Sequence, residues 1–314
     1  MDHFAALGLP AFDKIPPLEA RRLYRETRGA LRPPAPSLLA VRDLAADPGS
    51  ASGVSRRSAE SGPRQVPLRL YRPADGVLPA LIYLHGGGWV VGDLETHDVV
   101  CRQIAAQSGA IVIAVDYRLA PEHRFPAAVD DAWSATTWIA AHASELGIDA
   151  ARIAIGGDSA GGGLAAAVTL MARDAGAPRL AYQVLVYPVM DLRAESESYT
   201  TFADGYMLTR SAMKWYIAQY APDEKTWRDW RGSPLLAASV DGVPPALILA
   251  AQCDPLVSEG AQYARRLEQA GIAAEYVAFE GMIHGFLTMG GRIDAAQRAV
   301  ATISTSLRRT LTPA

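Results

Sequence analysis

Short apolar runs alternate along this chain with longer stretches in which apolar residues return every three or four positions. The runs are Val66–Tyr71, Ala80–His85, Ala110–Asp116, Arg152–Gly156, Tyr182–Tyr187, Ala246–Ala251 and Glu275–Phe279. Several are apolar without a break, as in Ile111-Val-Ile-Ala-Val115. A strand apolar on both sides is covered on both sides, which predicts a mostly parallel sheet between helices rather than a sheet with one wet face. The 3.6-residue periodicity falls at about 96–107, 126–146, 160–174, 257–270 and 293–309. Strand–helix alternation of this kind predicts a doubly wound α/β fold.

Two regions break the alternation. Residues 1–50 carry a helical pattern over Leu18–Ala30 and then a Pro-rich break at Pro33, Pro34 and Pro36. Residues 189–233 lie between two strands and hold Tyr199, Phe202, Tyr206, Met207, Met213, Trp215, Tyr216, Tyr220, Trp227 and Trp230. A plain crossover does not need so many large side chains. They predict an insertion with a small core of its own, a lid whose inner face forms an apolar pocket, or both. The expected division is an N-terminal cap segment (1–50), a first part of the α/β core (51–188), a cap insertion (189–233) and a second part of the core (234–314).

Composition narrows the function classes. The formal net charge is -3, so neither nucleic acid nor an anionic membrane is an expected partner. The start Met1-Asp-His lacks a basic region followed by a long apolar run, and no apolar stretch approaches the roughly 20 residues of a membrane span. A cytoplasmic location is expected, with the two cysteines, Cys101 and Cys253, as free thiols. Their spacing resembles no metal site. A homodimer stays open as the assembly.

The most informative segment runs from Arg152 to Ala165 and contains Gly157-Asp158-Ser159-Ala160-Gly161, a match to Gly-x-Ser-x-Gly. A Ser between a strand end and a helix start has a strained backbone. The residues two before and two after it crowd each other and must be tiny. An apolar strand precedes this Ser and a small-residue helical run follows. The alternative is a phosphate loop at Gly161-Gly162-Gly163, but no Gly-Lys-Ser/Thr follows.

A second motif, His85-Gly86-Gly87-Gly88-Trp89, ends a predicted strand and is of the type that forms the oxyanion loop of lipases and esterases. Ester attack places negative charge on the carbonyl oxygen, and that charge needs backbone N–H donors already in place. Glycines let the chain come close. Ala160, next after Ser159, is expected to supply a further amide. His85 is expected to brace the loop through its side chain.

In a hydrolase of this type the triad follows the chain order Ser, acid, His. Downstream of Ser159 stands one histidine, His284, in a loop after a predicted strand. The acid belongs at a strand end between the two. Asp254, directly after Ala246–Cys253, fits; Asp241 lies at the wrong strand end, Glu259 in the next helix, and Glu280 in the histidine's own loop.

With these motifs in place, the chain resembles the bacterial hormone-sensitive-lipase-like (family IV) carboxylesterases, and within them the Gly-Asp-Ser-Ala-Gly subfamily. The matching stretches are His85–Asp98, Val115–His123, Gly156–Gly162, Asp254–Leu256 and His284–Phe286. The resemblance implies an α/β-hydrolase fold with a helical cap, built from the N-terminal segment and an insertion after the sixth core strand. It implies Ser159 as nucleophile with Asp254 and His284. It implies Gly87, Gly88 and Ala160 as oxyanion donors, with Gly86 sharing that role. It further implies small-molecule esters of short to medium acyl chain as substrates and no cofactor. Gly163 departs from the pattern, since many members carry Asn there; a small effect on helix-start geometry is expected. An amidase or deacetylase on the same triad is the enzymatic rival, separable by matched aryl ester and anilide substrates. A non-catalytic receptor on this fold should lack part of the triad, which is complete here.

Overall fold

The computed structural model describes residues 10–47 and 65–312. Eight strands form one sheet: β1 (Ala40–Ala46), β2 (Val66–Arg72), β3 (Leu78–Leu84), β4 (Ile111–Val115), β5 (Ile148–Asp158), β6 (Tyr182–Val186), β7 (Ala246–Cys253) and β8 (Ala274–Ile283). Their order is β1-β2-β4-β3-β5-β6-β7-β8. The β1–β2 and β2–β4 pairs are antiparallel and every other pair is parallel. The continuously apolar β4 is buried at every position, and so is β6, Gln183 included, as two covered faces require.

Eight α-helices occur among the described residues: α1 (Pro17–Leu31), α2 (Leu94–Ser108), α3 (Ala127–Ala141), α4 (Ala160–Ala175), α5 (Ser198–Thr201), α6 (Arg210–Tyr220), α7 (Val257–Gln269) and α8 (Asp294–Leu311). They divide the buried side chains into two layers. One face of the sheet packs with α3, α4 and α7; the other packs with α2 and α8. Local sequence sets the helix ends. Asp93 and Thr96 form a reciprocal capping box at the start of α2, and Gly109 in left-handed conformation (φ 74°) ends it. No helix among the described residues is long and apolar enough to cross a membrane.

One strand has no counterpart in the sequence reading. β1 falls inside 1–50, so that stretch is divided: α1 lies over the pocket described below, while residues 40–46 extend the sheet. As an edge strand, β1 is mostly half-buried or exposed, so it shows neither a continuous apolar run nor a clean alternation. The boundary expected at residue 50 lies outside the described residues.

Candidate active site

β5 ends at Asp158 and α4 begins at Ala160, so Ser159 stands alone between strand and helix with φ 56° and ψ −120°. A non-glycine residue held there costs on the order of 1–3 kcal/mol and persists only if its surroundings impose it. Here they do. The Ser159 N–H donates to the Val186 carbonyl at the end of β6 (2.8 Å), and its own carbonyl accepts from Gly163 N–H and Val189 N–H (3.1 Å each). The flanking glycines are sterically forced. A Cβ on Gly157 would lie 2.6 Å from the Gly161 carbonyl carbon and 2.2 Å from the Leu84 oxygen. One on Gly161 would lie 2.0 Å from that same oxygen. The two glycines thus crowd each other, as their spacing predicts, and both also press on the end of β3.

Gly163 is a larger departure than expected. A Cβ there would lie 2.2 Å from the Val189 carbonyl oxygen. In this chain the first turn of α4 packs on the backbone after β6, and a side chain such as Asn requires that backbone to move.

The turn brings three distant residues together. His284 Nε2 lies 2.9 Å from Ser159 Oγ, and His284 Nδ1 lies 2.7 Å from Asp254 Oδ2. Asp254 is fully buried after β7, and its second oxygen accepts the Leu256 N–H at 2.9 Å, which fixes the carboxylate plane. His284 follows β8, and its ring packs against Tyr187 with centroids 4.7 Å apart. Ser159 is 6% exposed and the His284 side chain 12%, so the relay opens to solvent only at its reacting end. A hydroxyl bonded to an imidazole whose other nitrogen faces a carboxylate is an arrangement suited to nucleophilic attack.

The glycine loop after β3 forms the facing wall. Among the described residues the N–H groups of Gly87, Gly88 and Ala160 have no acceptor. Gly87 (φ 125°) and Gly88 (φ 58°) both line the cavity above Ser159. Gly86 corrects the expectation of a shared role: its N–H donates to Asp158 Oδ1 at 3.0 Å and is spent on the fold.

Asp158 is the hub behind that loop, a function that sequence reasoning did not assign. It is buried, and its Oδ1 also accepts from the Tyr83 hydroxyl at 2.9 Å and lies 3.2 Å from His97 Nε2. Burial pushes this carboxyl up, but the neighbouring His97 and the hydrogen bonds from His97 and Tyr83 outweigh it and hold it below the ordinary aspartate value. The signal was present in sequence, because Asp158 stands inside the serine motif and His97 inside the run from His85; their contact was not.

His85 is stacked on Tyr117, with ring centroids 4.2 Å apart, and the Tyr117 hydroxyl donates to the His85 carbonyl at 2.6 Å. Burial, reinforced by His97, pushes the His85 imidazole down to about 4. It is therefore neutral at pH 7. A Cβ on Gly92 would lie 2.6 Å from its Nδ1, so the glycine loop folds tightly around this ring.

Residues from both irregular regions close the site. A Cβ on Gly88 would meet the Tyr216 ring of α6 at 2.4 Å, and Trp89 stacks on Tyr220 with centroids 4.4 Å apart and planes within 7°. Such a pair adds about 0.5–1.5 kcal/mol beyond the area it buries. From the other side, Arg21 of α1 donates to the Val90 and Ala120 carbonyls (2.7 and 2.8 Å), and Arg25 pairs with Asp93. Between them lies a cavity of about 630 Å³ over Ser159 and His284, lined mainly by Phe12, Tyr24, Leu208, Met213 and Tyr216. That size and lining suit a small, largely apolar ligand.

Residues 81–288 match the family described as the alpha/beta hydrolase fold. The chain belongs to that family. It is 44% identical over 256 residues to an ethyl acetate hydrolase of Pseudomonas putida, covering 78% of this chain and 79% of the relative. It is 40% identical over 255 residues to carboxylesterase NlhH of Mycobacterium tuberculosis, covering 80% of each. Among solved structures, a hyperthermophilic esterase from Pyrobaculum calidifontis superposes with a TM-score of 0.86 at 37% identity, over 94% of both chains. These relatives agree with the hormone-sensitive-lipase-like resemblance, and carboxylic-ester hydrolysis is the activity that they and the family support.

Proposed function

We propose that this hydrolase cleaves short- to medium-chain acyl esters through an acyl-enzyme on Ser159, with His284 as base and Asp254 as its orienting acid. The observation that carries this reading is the unbroken Asp254–His284–Ser159 relay at 2.7 and 2.9 Å, beside three amides that have no acceptor among the described residues. His284 Nε2 takes the Ser159 proton as Oγ attacks the ester carbonyl carbon. Charge gathers on the carbonyl oxygen, where Gly87, Gly88 and Ala160 N–H groups receive it; one such donor is worth about 2.7–4 kcal/mol in the transition state. Asp254 stays ionised and stabilises the imidazolium. Collapse breaks the C–O bond, and the alcohol leaves with the proton from His284. Water, deprotonated by His284, then attacks the acyl-enzyme; the acid departs and Ser159 regains its proton.

Residues 189–233 and the N-terminal helix serve as the cap in this reading. Tyr216 against Gly88 and Arg21 on Val90 let cap and oxyanion loop hold one shape. The apolar cavity favours short to medium acyl groups, in keeping with a relative named for ethyl acetate. The test is release of p-nitrophenol from its butyrate ester. Wild-type protein should show a burst, and Ser159→Ala should show none; substantial turnover by that variant refutes the assignment. A p-nitrophenyl series from acetate to palmitate should peak at short to medium length.

A further inference from the structure

Arg28 is a buried cation without a counter-ion among the described residues, and it stands in the wall of the catalytic cavity. It lies on the inward face of α1 in register with Ala20 and Tyr24, all three buried. The residue is 5% exposed. Its Nε and Nη1 are buried with no hydrogen-bond partner, and no carboxylate forms an ion pair with it among the described residues. Among the described residues its nearest compensation is Tyr24, whose ring lies 4.9 Å from the guanidinium carbon. Asp13, the acidic residue in the same wall, pairs instead with Lys14 at 3.3 Å. Arginine is almost never buried unless paired, because a guanidinium brings five N–H donors and a charge that cannot be discharged.

The position is specific. Gly285, the residue after His284, has φ 75°, and a Cβ there would lie 3.0 Å from Arg28 Nη2. The backbone beside the base therefore leaves room for the guanidinium. Gly291 N–H donates to the Leu31 carbonyl at 2.8 Å, which docks the end of α1 on the segment that follows His284. Arg292, exposed, adds a second cation at the rim of the cavity.

Resting on the Ser159 esterase reading, we propose that Arg28 is a specificity residue that binds a carboxylate carried by the substrate itself. The ester then has two ends: one carbonyl at Ser159 and one carboxylate at Arg28. A planar carboxylate matches the guanidinium fork and supplies the missing acceptors. Two chemistries present it. Hemi-esters of dicarboxylic acids carry it on the acyl side, and acyl esters of hydroxy acids carry it on the alcohol side.

Matched pairs separate them. Monoethyl esters from succinate to suberate are compared with ethyl alkanoates of equal chain length. Acetoxy-alkanoates are compared with alkyl acetates such as butyl acetate. In wild-type protein at least one carboxylate ester should match or exceed its neutral partner in kcat/KM, and the arm it belongs to names the source. Arg28→Met should lower that charged-to-neutral ratio about tenfold or more, and Arg28→Lys by less. Rejection of every carboxylate ester by tenfold or more in wild type overturns the proposal, as does an equal loss on both partners in Arg28→Met, which marks a purely structural role. Calorimetric binding of the favoured carboxylate ester to Ser159→Ala protein, with and without the Arg28 change, reads recognition apart from turnover. Tenfold weaker binding is expected there and unchanged binding overturns it; should Arg28→Met fail to fold, Arg28→Lys takes its place. Persistent turnover by Ser159→Ala defeats the triad reading alone.

Discussion

Two aspartates in this molecule sit at or just beyond strand ends, each buried against a histidine. Asp254 faces His284 at 2.7 Å and Asp158 faces His97 at 3.2 Å. The difference lies beyond each imidazole. His284 turns its second nitrogen to Ser159 Oγ (2.9 Å), and its side chain keeps 12% exposure at the mouth of a cavity. His97 turns its second nitrogen to Thr96 Oγ1 (3.0 Å) at the first turn of α2 and is sealed from solvent. The same pair of side chains is in one place suited to moving a proton and in the other to holding a loop. The chemistry of such a pair is decided by what the far nitrogen touches and whether substrate can reach it.

A third buried carboxylate shows the cost of lacking a histidine. Glu259 accepts from the Met190 and Asp191 N–H groups (2.6 and 3.0 Å), while its other oxygen has no hydrogen-bond partner among the described residues. Burial pushes it up to about 8, the two amides only partly opposing the rise.

The comparison can be broken most severely at Asp254. Asp254→Asn offers His284 Nδ1 an amide in place of a carboxylate, which disturbs the tautomer and withdraws charge from the imidazolium. A fall in kcat on the order of 10⁴-fold is expected, with KM little changed. Steady-state assays on p-nitrophenyl butyrate check it; a loss under tenfold would place Asp254 outside the relay.

The matching change at Asp158 should cost far less. Asp158→Asn keeps an acceptor for Gly86 N–H but removes the charge facing His97. Removing an oxyanion donor outright costs about 10²–10³-fold, and a donor loop that is merely loosened should lose about tenfold in kcat. Stability supplies a second reading. Asp158 is held below the ordinary value of 3.8, so its contribution is complete above that pH and disappears as pH falls through the lowered value. Thermal melts on acidification should therefore be shallower for Asp158→Asn than for wild type. A kcat loss as large as that of Asp254→Asn would erase the distinction between the pairs.

Glu259 sharpens the contrast through stability alone, with no effect expected on kcat. Its folded value of about 8 against an ordinary 4.5 means the folded chain holds the proton more tightly through that interval. Stability from this group is complete below pH 4.5 and falls as pH rises toward 8. Glu259→Gln should flatten the decline in melting temperature between those values while leaving acid stability near wild type.

Much of this could be read along the chain because its causes are local. Apolar runs, unbroken at β4, marked the parallel strands, and the glycines around Ser159 and after His85 marked the two turns that meet at the cavity. With one histidine downstream of Ser159, chain order pointed to His284 as the expected base and strand position to Asp254, and the structure brings both into line with Ser159. These are properties of neighbours in sequence or of element order. Other features are contacts between segments far apart in the chain. β1 was invisible because an edge strand is half-wet and lacks a clean pattern. Gly86 reads like its two neighbours until Asp158, 72 residues away, takes its N–H. Gly163 looked neutral until the Val189 carbonyl came to rest against it. Arg28 is one of many arginines in the sequence, and only the docking of α1 over the cavity buries it with Nε and Nη1 unpartnered among the described residues. The sequence by itself determined the fold and singled out the residues proposed for the chemistry. The tertiary structure decided which loop amides keep no acceptor among the described residues and which side chains wall the cavity, because burial and hydrogen-bond occupancy exist only once the segments are packed together.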